Sequence, residues 1–495
     1  MNLKDSLFVT GYNWGTDGKG GGWEPYLVFG GARFYDDLAV SRGGQMVPVH
    51  STIEPDGLYI TPPALSRPLN AGGRLIDQAY DFLSDENFKV MVCPQGAFAN
   101  QDLPEGANFR KHPPIDRGAE PGNSLSYLPY ARLFAQMVLR WGPDKNDDFE
   151  YVYNDGTYLS TTPGTGRDTV WAFQAGNELN FRWHGGRILT EYQIGIMWAM
   201  CYCKARERSG SARLVSPSIL SATADKLRDI FEGFKDGCEQ IGIGPQWDWH
   251  PSFHRYHRKG NQGQLQVDGD EGATPEDVDS YALYKAIVDV CKEYGTLSPM
   301  LTETGWNDDP SPNAKLQCAP IQEGYSLSES KAILTIRDLI LAKAAGIEVV
   351  CSYHIADDYE GSWGNGMGWY HGADGDHPDF PGAARWSSKP CVELLDAWMD
   401  SYGVCEVEVG EPLVRVEQGK RIYEVRATLD GQRGFFTWSA DGHYSEGVKS
   451  IGPLPEWRLL ADITTPPVEP EPTPPTGLID LGATDKGRLW FQPNQ

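Results

Sequence analysis

Short apolar runs alternate with stretches of helical periodicity from Leu7 to His354. Leu7–Trp14, Gly31–Asp36 and Phe88–Pro94 read as the first three strands, with a helical stretch Gly72–Leu83 ahead of the third. Ser124–Trp141 reads as a helix stopped by Gly142 and Pro143. In Thr169–Asn180 (TVWAFQAGNELN), Val170, Ala172 and Gln174 point one way and Trp171, Phe173 and Ala175 the other. Both faces are largely apolar, as in a parallel strand covered on both sides.

The alternation continues beyond that fourth strand. Thr190 and Gln193 form a capping-box pattern for a helix running to Gly210, and Arg213–Ser218 is a fifth strand ahead of a helix at Lys226–Ile241. Trp247–His257 supplies the sixth strand, and Thr274-Pro275 opens a helix that ends at Gly295. Pro299–Trp306, the helix Ser328–Ala345 capped by Gly346, and the strand Ile347–His354 complete the series. Regular alternation of strand and helix predicts a parallel α/β architecture.

A doubly wound sheet is the competing fold, but no G-x-G-x-x-G or G-x-x-x-x-G-K-[ST] follows an early strand. Glutamates at the ends of two strands favour a (β/α)8 TIM barrel, whose catalytic groups sit at the strands' C-terminal ends. The expected organisation is a barrel over 1–400 and a small β-sandwich-like domain over 401–463. The latter rests on the short alternating runs Pro412–Val416, Arg421–Leu429, Gly434–Ser439 and Trp457–Ile463. A proline-rich linker and tail occupy 464–495.

Composition narrows the partners. The formal charge is −25, from 43 basic and 68 acidic residues. That argues against a nucleic-acid partner, whose phosphates would be repelled, and leaves a neutral polymer compatible. No basic, apolar and small-residue signal sequence opens the chain and no run of 18 apolar residues occurs, so no membrane span and a soluble protein are expected. The nine cysteines are odd in number and scattered, which points to buried free thiols.

The candidate chemistry lies where apolar runs end in polar residues. The fourth strand ends in Asn177-Glu178, and the seventh, PMLTETGW, in Glu303. Two carboxylates from different strands of one barrel can converge over one rim. The alternative is a pair of buried glutamates satisfied by core arginines.

Asn177-Glu178, Thr302-Glu303 with Trp306, the sixth-strand Asp248…His254-x-Tyr256 and Arg33 on the second strand together resemble clan A glycoside hydrolases, and within them the family 39-like enzymes. The resemblance spans 1–400. It implies a retaining glycosidase with Glu178 as general acid/base and Glu303 as nucleophile, their carboxyls about 5–5.5 Å apart. It further implies that Arg33 and Tyr256 hold Glu303 as an oriented anion, that Asn177 reaches the sugar hydroxyl beside the anomeric carbon, and that His254 shares the face of Tyr256. The chain departs from the family pattern at Gly176 and Leu179, which flank Asn177-Glu178, and at the eighth strand. There the family's tryptophan position reads as His354, so Trp363 or Trp369 in EGSWGNGMGWY is expected to supply the flat face.

No cofactor is expected. His250, His254 and His257 invite a metal reading, but ligands from one straight strand cannot easily surround an ion. The acidic stretches Asp268–Asp279 and Asp374–Asp379 lack calcium-loop spacing. Trp14, Trp23, Trp183, Trp306, Trp363 and Trp369 fall at strand ends or in loops, where rings can stack on sugars. The expected function is double-displacement hydrolysis of a polysaccharide or oligosaccharide, endo-acting because the loops 42–70, 95–123, 154–166 and 259–273 are long. The alternative is a non-catalytic carbohydrate-binding or structural module of a larger assembly such as a phage tail or cell surface, and nothing in the sequence sets an oligomeric state.

Overall fold

The structure is a computed structural model. It describes residues 1–11, 26–37, 39–42, 45–48, 68–69, 74–96, 112–115, 118–144, 150–154, 159–163, 166–181, 188–259, 271–309, 317–357, 366–371, 376–377, 380–381, 387–446, 449–459, 479–484 and 487–491. Eight strands make one parallel sheet: β1 (Leu7–Gly11), β2 (Gly31–Asp37), β3 (Lys89–Gln95), β4 (Ala172–Gln174), β5 (Leu214–Val215), β6 (Ser252–His254), β7 (Met300–Thr304) and β8 (Val350–Tyr353). Their order is β5-β4-β3-β2-β1-β8-β7-β6. Parallel bridges Val215–His250 and Ile219–Phe253 join the two ends, with Ser216 N 2.9 Å from His250 O and His250 N 2.9 Å from Leu214 O. The sheet therefore closes into the expected (β/α)8 barrel.

Helices follow the strands: α1 (Ile76–Asp85) after β2, α2 (Leu128–Trp141) after β3, α3 (Glu191–Arg206) after β4, α4 (Ala224–Gln240) after β5, α5 (Ser280–Tyr294) after β6, α6 (Leu327–Ala345) after β7 and α7 (Pro390–Tyr402) after β8. The Thr190–Gln193 capping box forms as the sequence expects. Two details differ. Residues 275–279 are turns, and α5 begins only at Ser280, because Asp279 sits in the left-handed region and caps Ala282 N. Helix α7, with proline at its first position, has no counterpart in the sequence reading.

Side chains pointing into the barrel divide by height. Phe8, Met91, Ala172, Val215, Met300, Val349 and Cys351 make an apolar plug at the N-terminal end. On the same inward faces, nearer the C-terminal ends, stand Arg33, Cys93, Gln174, Ser252 and Thr302, all buried. Outward-facing residues such as Val9, Phe34, Val92 and Phe173 join the main core beneath the helices. A polar layer thus lies between the plug and the rim, and such a layer is stable only if its hydrogen bonds are closed.

After the barrel, β9 (Glu406–Val407), β10 (Leu413–Glu417), β11 (Lys420–Leu429), β12 (Gln432–Ser439) and, past the hairpin β13 (Tyr444–Glu446) and β14 (Lys449–Ile451), β15 (Glu456–Leu459) form a small antiparallel β unit. It is fastened to the barrel by a buried cluster. Glu276 accepts from Arg337 Nε at 2.7 Å and Nη2 at 2.5 Å and from Trp438 Nε1 at 2.7 Å, while Arg337 Nη1 donates to Gln322 at 2.7 Å. Helix α6, covered by the barrel on one side and β11 on the other, is buried almost all round. All nine cysteines are free thiols, seven of them buried. No helix among the described residues is long and apolar enough to cross a membrane.

Candidate active site

Strand β4 ends at Gln174, and the chain then turns sharply. Gly176 takes φ 109° and Glu178 φ 48°, a left-handed conformation uncommon for a residue with a side chain. Glu178 N is held by Ser218 O at 3.0 Å, beyond β5, and Asn177 bridges Ser218. Backbone strain of this kind persists only where the surroundings fix it, and it gathers at functional positions. On β7, Glu303 is followed by Gly305 at φ 153°, where a Cβ would stand 2.8 Å from Tyr353 O. Only glycine lets β7 and β8 approach so closely at the rim.

These turns bring the two carboxylates together. An oxygen of Glu178, an oxygen of Glu303 and a ring nitrogen of His254 all lie within 4.8 Å of one another. His254 Nδ1 is 2.7 Å from Glu178 Oε1 and 3.3 Å from Glu303 Oε2. One proton lies between Nδ1 and Glu178, and the same nitrogen stands close to Glu303. Tyr256 OH donates to Glu303 Oε2 at 2.7 Å, and Arg33 Nη1 to Oε1 at 2.8 Å. Both glutamates are 4% exposed, so these contacts act in a medium that screens them weakly.

Arg33 is fully buried, and its five N–H groups all find acceptors. Nε donates to Gln174 Oε1 (2.5 Å), Nη1 to Tyr35 OH (2.8 Å) and Glu303, and Nη2 to Asn177 Oδ1 (2.7 Å) and Cys93 Sγ (3.5 Å). Of these five acceptors, only Glu303 carries a carboxylate. Gln174 in turn donates to Ser252 Oγ at 2.8 Å and Thr302 Oγ1 at 3.4 Å, and Ser252 Oγ donates to Ser216 O at 2.7 Å. The polar layer under the rim is a continuous network.

Burial pushes the Glu303 carboxyl up to about 7, against the downward pull of Arg33 beside it. Burial also drives the Tyr256 phenol well above its ordinary range, so it remains a donor at neutral pH. Asn177 has its orientation set by chemistry. Its Oδ1 accepts from Arg33 and from Ser218 Oγ at 3.2 Å, and a guanidinium can only donate. The Nδ2 amide is therefore the end left over, buried and without a hydrogen-bond partner among the described residues.

Glu178, His254 and Glu303 have the spacing to share a divalent ion. Arg33 and Tyr256 already place a positive charge and a hydroxyl donor on the two oxygens of Glu303, however, so the donor set reads as a held carboxylate pair. His250 is at the other end of the barrel, with Nδ1 2.8 Å from Ser298 O. His257 faces Asp338 at 3.2 Å and stacks on Trp306 at 4.6 Å.

The structure gathers Arg33, Asn177, Glu178, His254, Tyr256 and Glu303 at one rim and corrects two other placements. Trp306 is fully buried, with Nε1 donating to Ala273 O at 2.9 Å, and forms no wall of the rim. His354 is also fully buried; the half-buried ring at that rim is Tyr353, one residue earlier, whose centroid is 6.3 Å from that of Tyr256. Inward positions on β8 are Cys351 and Tyr353, where the strand ends; His354 follows it, one residue past the last inward position, with its ring centroid 4.5 Å from that of Tyr353. Trp369 is buried and donates to Ser352 Oγ at 2.9 Å. Trp14, Trp23, Trp183 and Trp363 lie outside the described residues, as do most of the four long loops. Sequence reasoning passed over Gln174, Ser218, Tyr35 and Cys93. For Gln174 the signal was present, a polar residue at an inward position of an otherwise apolar strand.

No protein-family model matches the chain, and no curated protein matches it. Among solved structures it is similar to a glucosidase from Croceicoccus marinus (11% identity, 92% of this chain and 81% of that chain, TM-score 0.44). It is also similar to a monomeric beta-xylosidase from Caulobacter crescentus (12%, 91% and 76%, 0.46) and to a family 51 alpha-L-arabinofuranosidase from Bifidobacterium longum (9%, 90% and 84%, 0.44). At these identities and scores the likenesses bear no weight for chemistry, which the site's own geometry has to carry.

Proposed function

We propose that this chain is a retaining glycoside hydrolase of the clan A type, family 39-like, acting on a polysaccharide or oligosaccharide by double displacement. The observation that carries the reading is the carboxylate pair: an oxygen of Glu178 and an oxygen of Glu303 lie within 4.8 Å, and Glu303 accepts from both Arg33 and Tyr256. Retaining glycosidases hold their carboxyls about 5–5.5 Å apart, whereas inverting enzymes need roughly 6.5–9.5 Å to admit a water. The asymmetry of the donors supports these roles. The glutamate that must be an anion is the one given a guanidinium and a phenol; the other shares a proton with His254.

In the first step a Glu303 oxygen bonds to the anomeric carbon as the glycosidic C–O bond breaks, and Glu178 gives its proton to the departing oxygen. The product is a glycosyl ester on Glu303 and a free alcohol. In the second step Glu178, now a carboxylate, takes a proton from water. The water oxygen bonds to the anomeric carbon and the ester bond returns its electrons to Glu303. Neutralising Glu303 in the ester removes a negative charge beside Glu178 and then restores it, which suits Glu178 to both duties. Asn177 offers its spare Nδ2 hydrogens to the hydroxyl beside the anomeric carbon, and Tyr353 offers a ring face at the same rim. Endo action follows from the length of the loops in the sequence.

Reducing-end release across a panel of plant and bacterial polysaccharides, with Glu303→Gln beside the parent, tests this reading. The parent is expected to release oligosaccharides and the variant almost nothing. Saturable binding without release, equal in both, would give the chain to the carbohydrate-binding alternative. Release of monosaccharides alone would overturn endo action.

A further inference from the structure

We propose that Gln174 is a positioning residue whose neutral amide reserves the charge of Arg33 for Glu303. The meaning for catalysis rests on the proposed role of Glu303; the electrostatic relation does not. Gln174 sits on the inward face of β4, directly beneath the rim, and is fully buried. Its Oε1 accepts from Arg33 Nε at 2.5 Å, and its Nε2 donates to Ser252 Oγ and Thr302 Oγ1 on β6 and β7. These two donor contacts fix which end of the amide meets the guanidinium. Arg33 is thereby held on its Nε edge by an acceptor with no net charge, and Nη1 is left aimed at Glu303.

Tyr35, Asn177 and Cys93 repeat the pattern, each offering a neutral acceptor to one guanidinium hydrogen. A hub with five donors could have been satisfied by two carboxylates; here four acceptors are neutral. In a buried site the charge of one arginine divides among the anions that touch it. Gln174 is the position where an acid of the same shape would compete most directly, because its oxygen lies at hydrogen-bond distance from Nε. The other groups that face Glu303 are Tyr256 and His254 from β6 and its following loop, Glu178 from the turn after β4, and Cys351 on β8. The Nε hydrogen itself goes to Gln174 Oε1.

The test is a double-mutant cycle in thermal unfolding, with parent, Gln174→Glu, Glu303→Gln and the double variant measured at pH 8 and at pH 5. Gln174→Glu keeps the side-chain shape, adds one charge and loses the amide donor to Ser252 Oγ and Thr302 Oγ1; that lost donor is common to the single and the double variant, so a packing or hydrogen-bonding role alone would leave the cycle additive. At pH 8 two carboxylates share one guanidinium in Gln174→Glu. The double variant, with one carboxylate again, is expected to melt several degrees above it. At pH 5 that difference is expected to shrink. If Gln174→Glu fails to fold at pH 8 while the double variant folds, the proposal is supported; if neither folds, or the two melt alike at both pH values, it is overturned. The readout needs no substrate, so a coupled cycle in a chain without hydrolytic activity would defeat the glycosidase reading and leave this relation standing. Where the parent hydrolyses a glycoside, Gln174→Glu is expected to move the acid limb of kcat/KM upward by about one pH unit, and an unmoved limb contradicts the proposal.

Discussion

Arg33 Nη1 lies 2.8 Å from Glu303 Oε1, a buried ion pair joining β2 to β7 across the barrel interior. Its partners on either side are what distinguish it from an ordinary core salt bridge. Every other acceptor of Arg33 in the network is neutral, Tyr256 holds the second oxygen of Glu303, and a second carboxylate stands within 4.8 Å. A structural pair needs no second acid at that distance.

Removing Arg33 from this pair should be costly in a specific way. Arg33→Met leaves Glu303 buried without its counter-charge and strips four neutral acceptors of their donor. Breaking a buried pair from one side costs about 3–5 kcal/mol. We expect a loss of this order in denaturant unfolding, and a smaller loss at pH 5, where Glu303 is protonated. A cost independent of pH would show that the charge is not what matters.

The pH dependence follows from Glu303 itself. Its pKa is about 7 in the folded chain against 4.5 for an ordinary glutamate, so the folded state binds the proton more tightly. Such a group contributes stability that is present below pH 4.5 and lost as pH rises through about 7, roughly 3 kcal/mol in all. Glu303→Gln should remove that decline in a melting series from pH 4 to 9. The nucleophile must be ionised, so kcat/KM should rise through an acid limb near pH 7. A limb near pH 4.5 would contradict the assignment.

How much of this was legible in the sequence depended on what each signal encodes. Glu178 and Glu303 were visible because an apolar strand that ends in a carboxylate is a local pattern. Arg33, Asn177, His254 and Tyr256 came through the resemblance, and the structure brings all four within reach of the pair. Ser218 was missed because a hydrogen-bond partner across a barrel leaves no periodicity; Gln174 stood out as a polar residue at an inward position, but that pattern does not say what it bonds. His354 was off by a single residue, since the sequence pattern does not mark where a strand stops and this one ends at Tyr353. Trp306 failed because an aromatic just past a strand suits either a rim or a core, and here His257 and Ala273 O take it inward.

Asn177 separates orientation from mere polarity. With Oδ1 committed to Arg33 and Ser218, only Nδ2 is left for the substrate. Asn177→Ala should lower kcat/KM on the order of 10²- to 10³-fold for a substrate bearing a hydroxyl beside the anomeric carbon. The 2-deoxy analogue should lose far less. Equal losses on both would remove Asn177 from contact with that hydroxyl.

The clasp between barrel and β unit is expected to govern stability and leave chemistry alone. Trp438→Phe deletes a donor to the buried Glu276 carboxylate, a bond worth about 1.5–3 kcal/mol, without touching the rim. The melting temperature should fall while kcat/KM at a temperature well below it stays unchanged. A matching fall in kcat would tie the clasp to the site.

The most direct measurement is peptide mapping by mass spectrometry after incubation with 2-deoxy-2-fluoro glycosides carrying a good leaving group, which accumulate the covalent intermediate of a retaining enzyme. A set spanning gluco, xylo and arabino configurations covers the unknown sugar. A glycosyl adduct on the peptide bearing Glu303, absent in Glu303→Gln, is the predicted result. An adduct on another residue, or turnover of the parent substrate with inverted product and no adduct, would contradict the account.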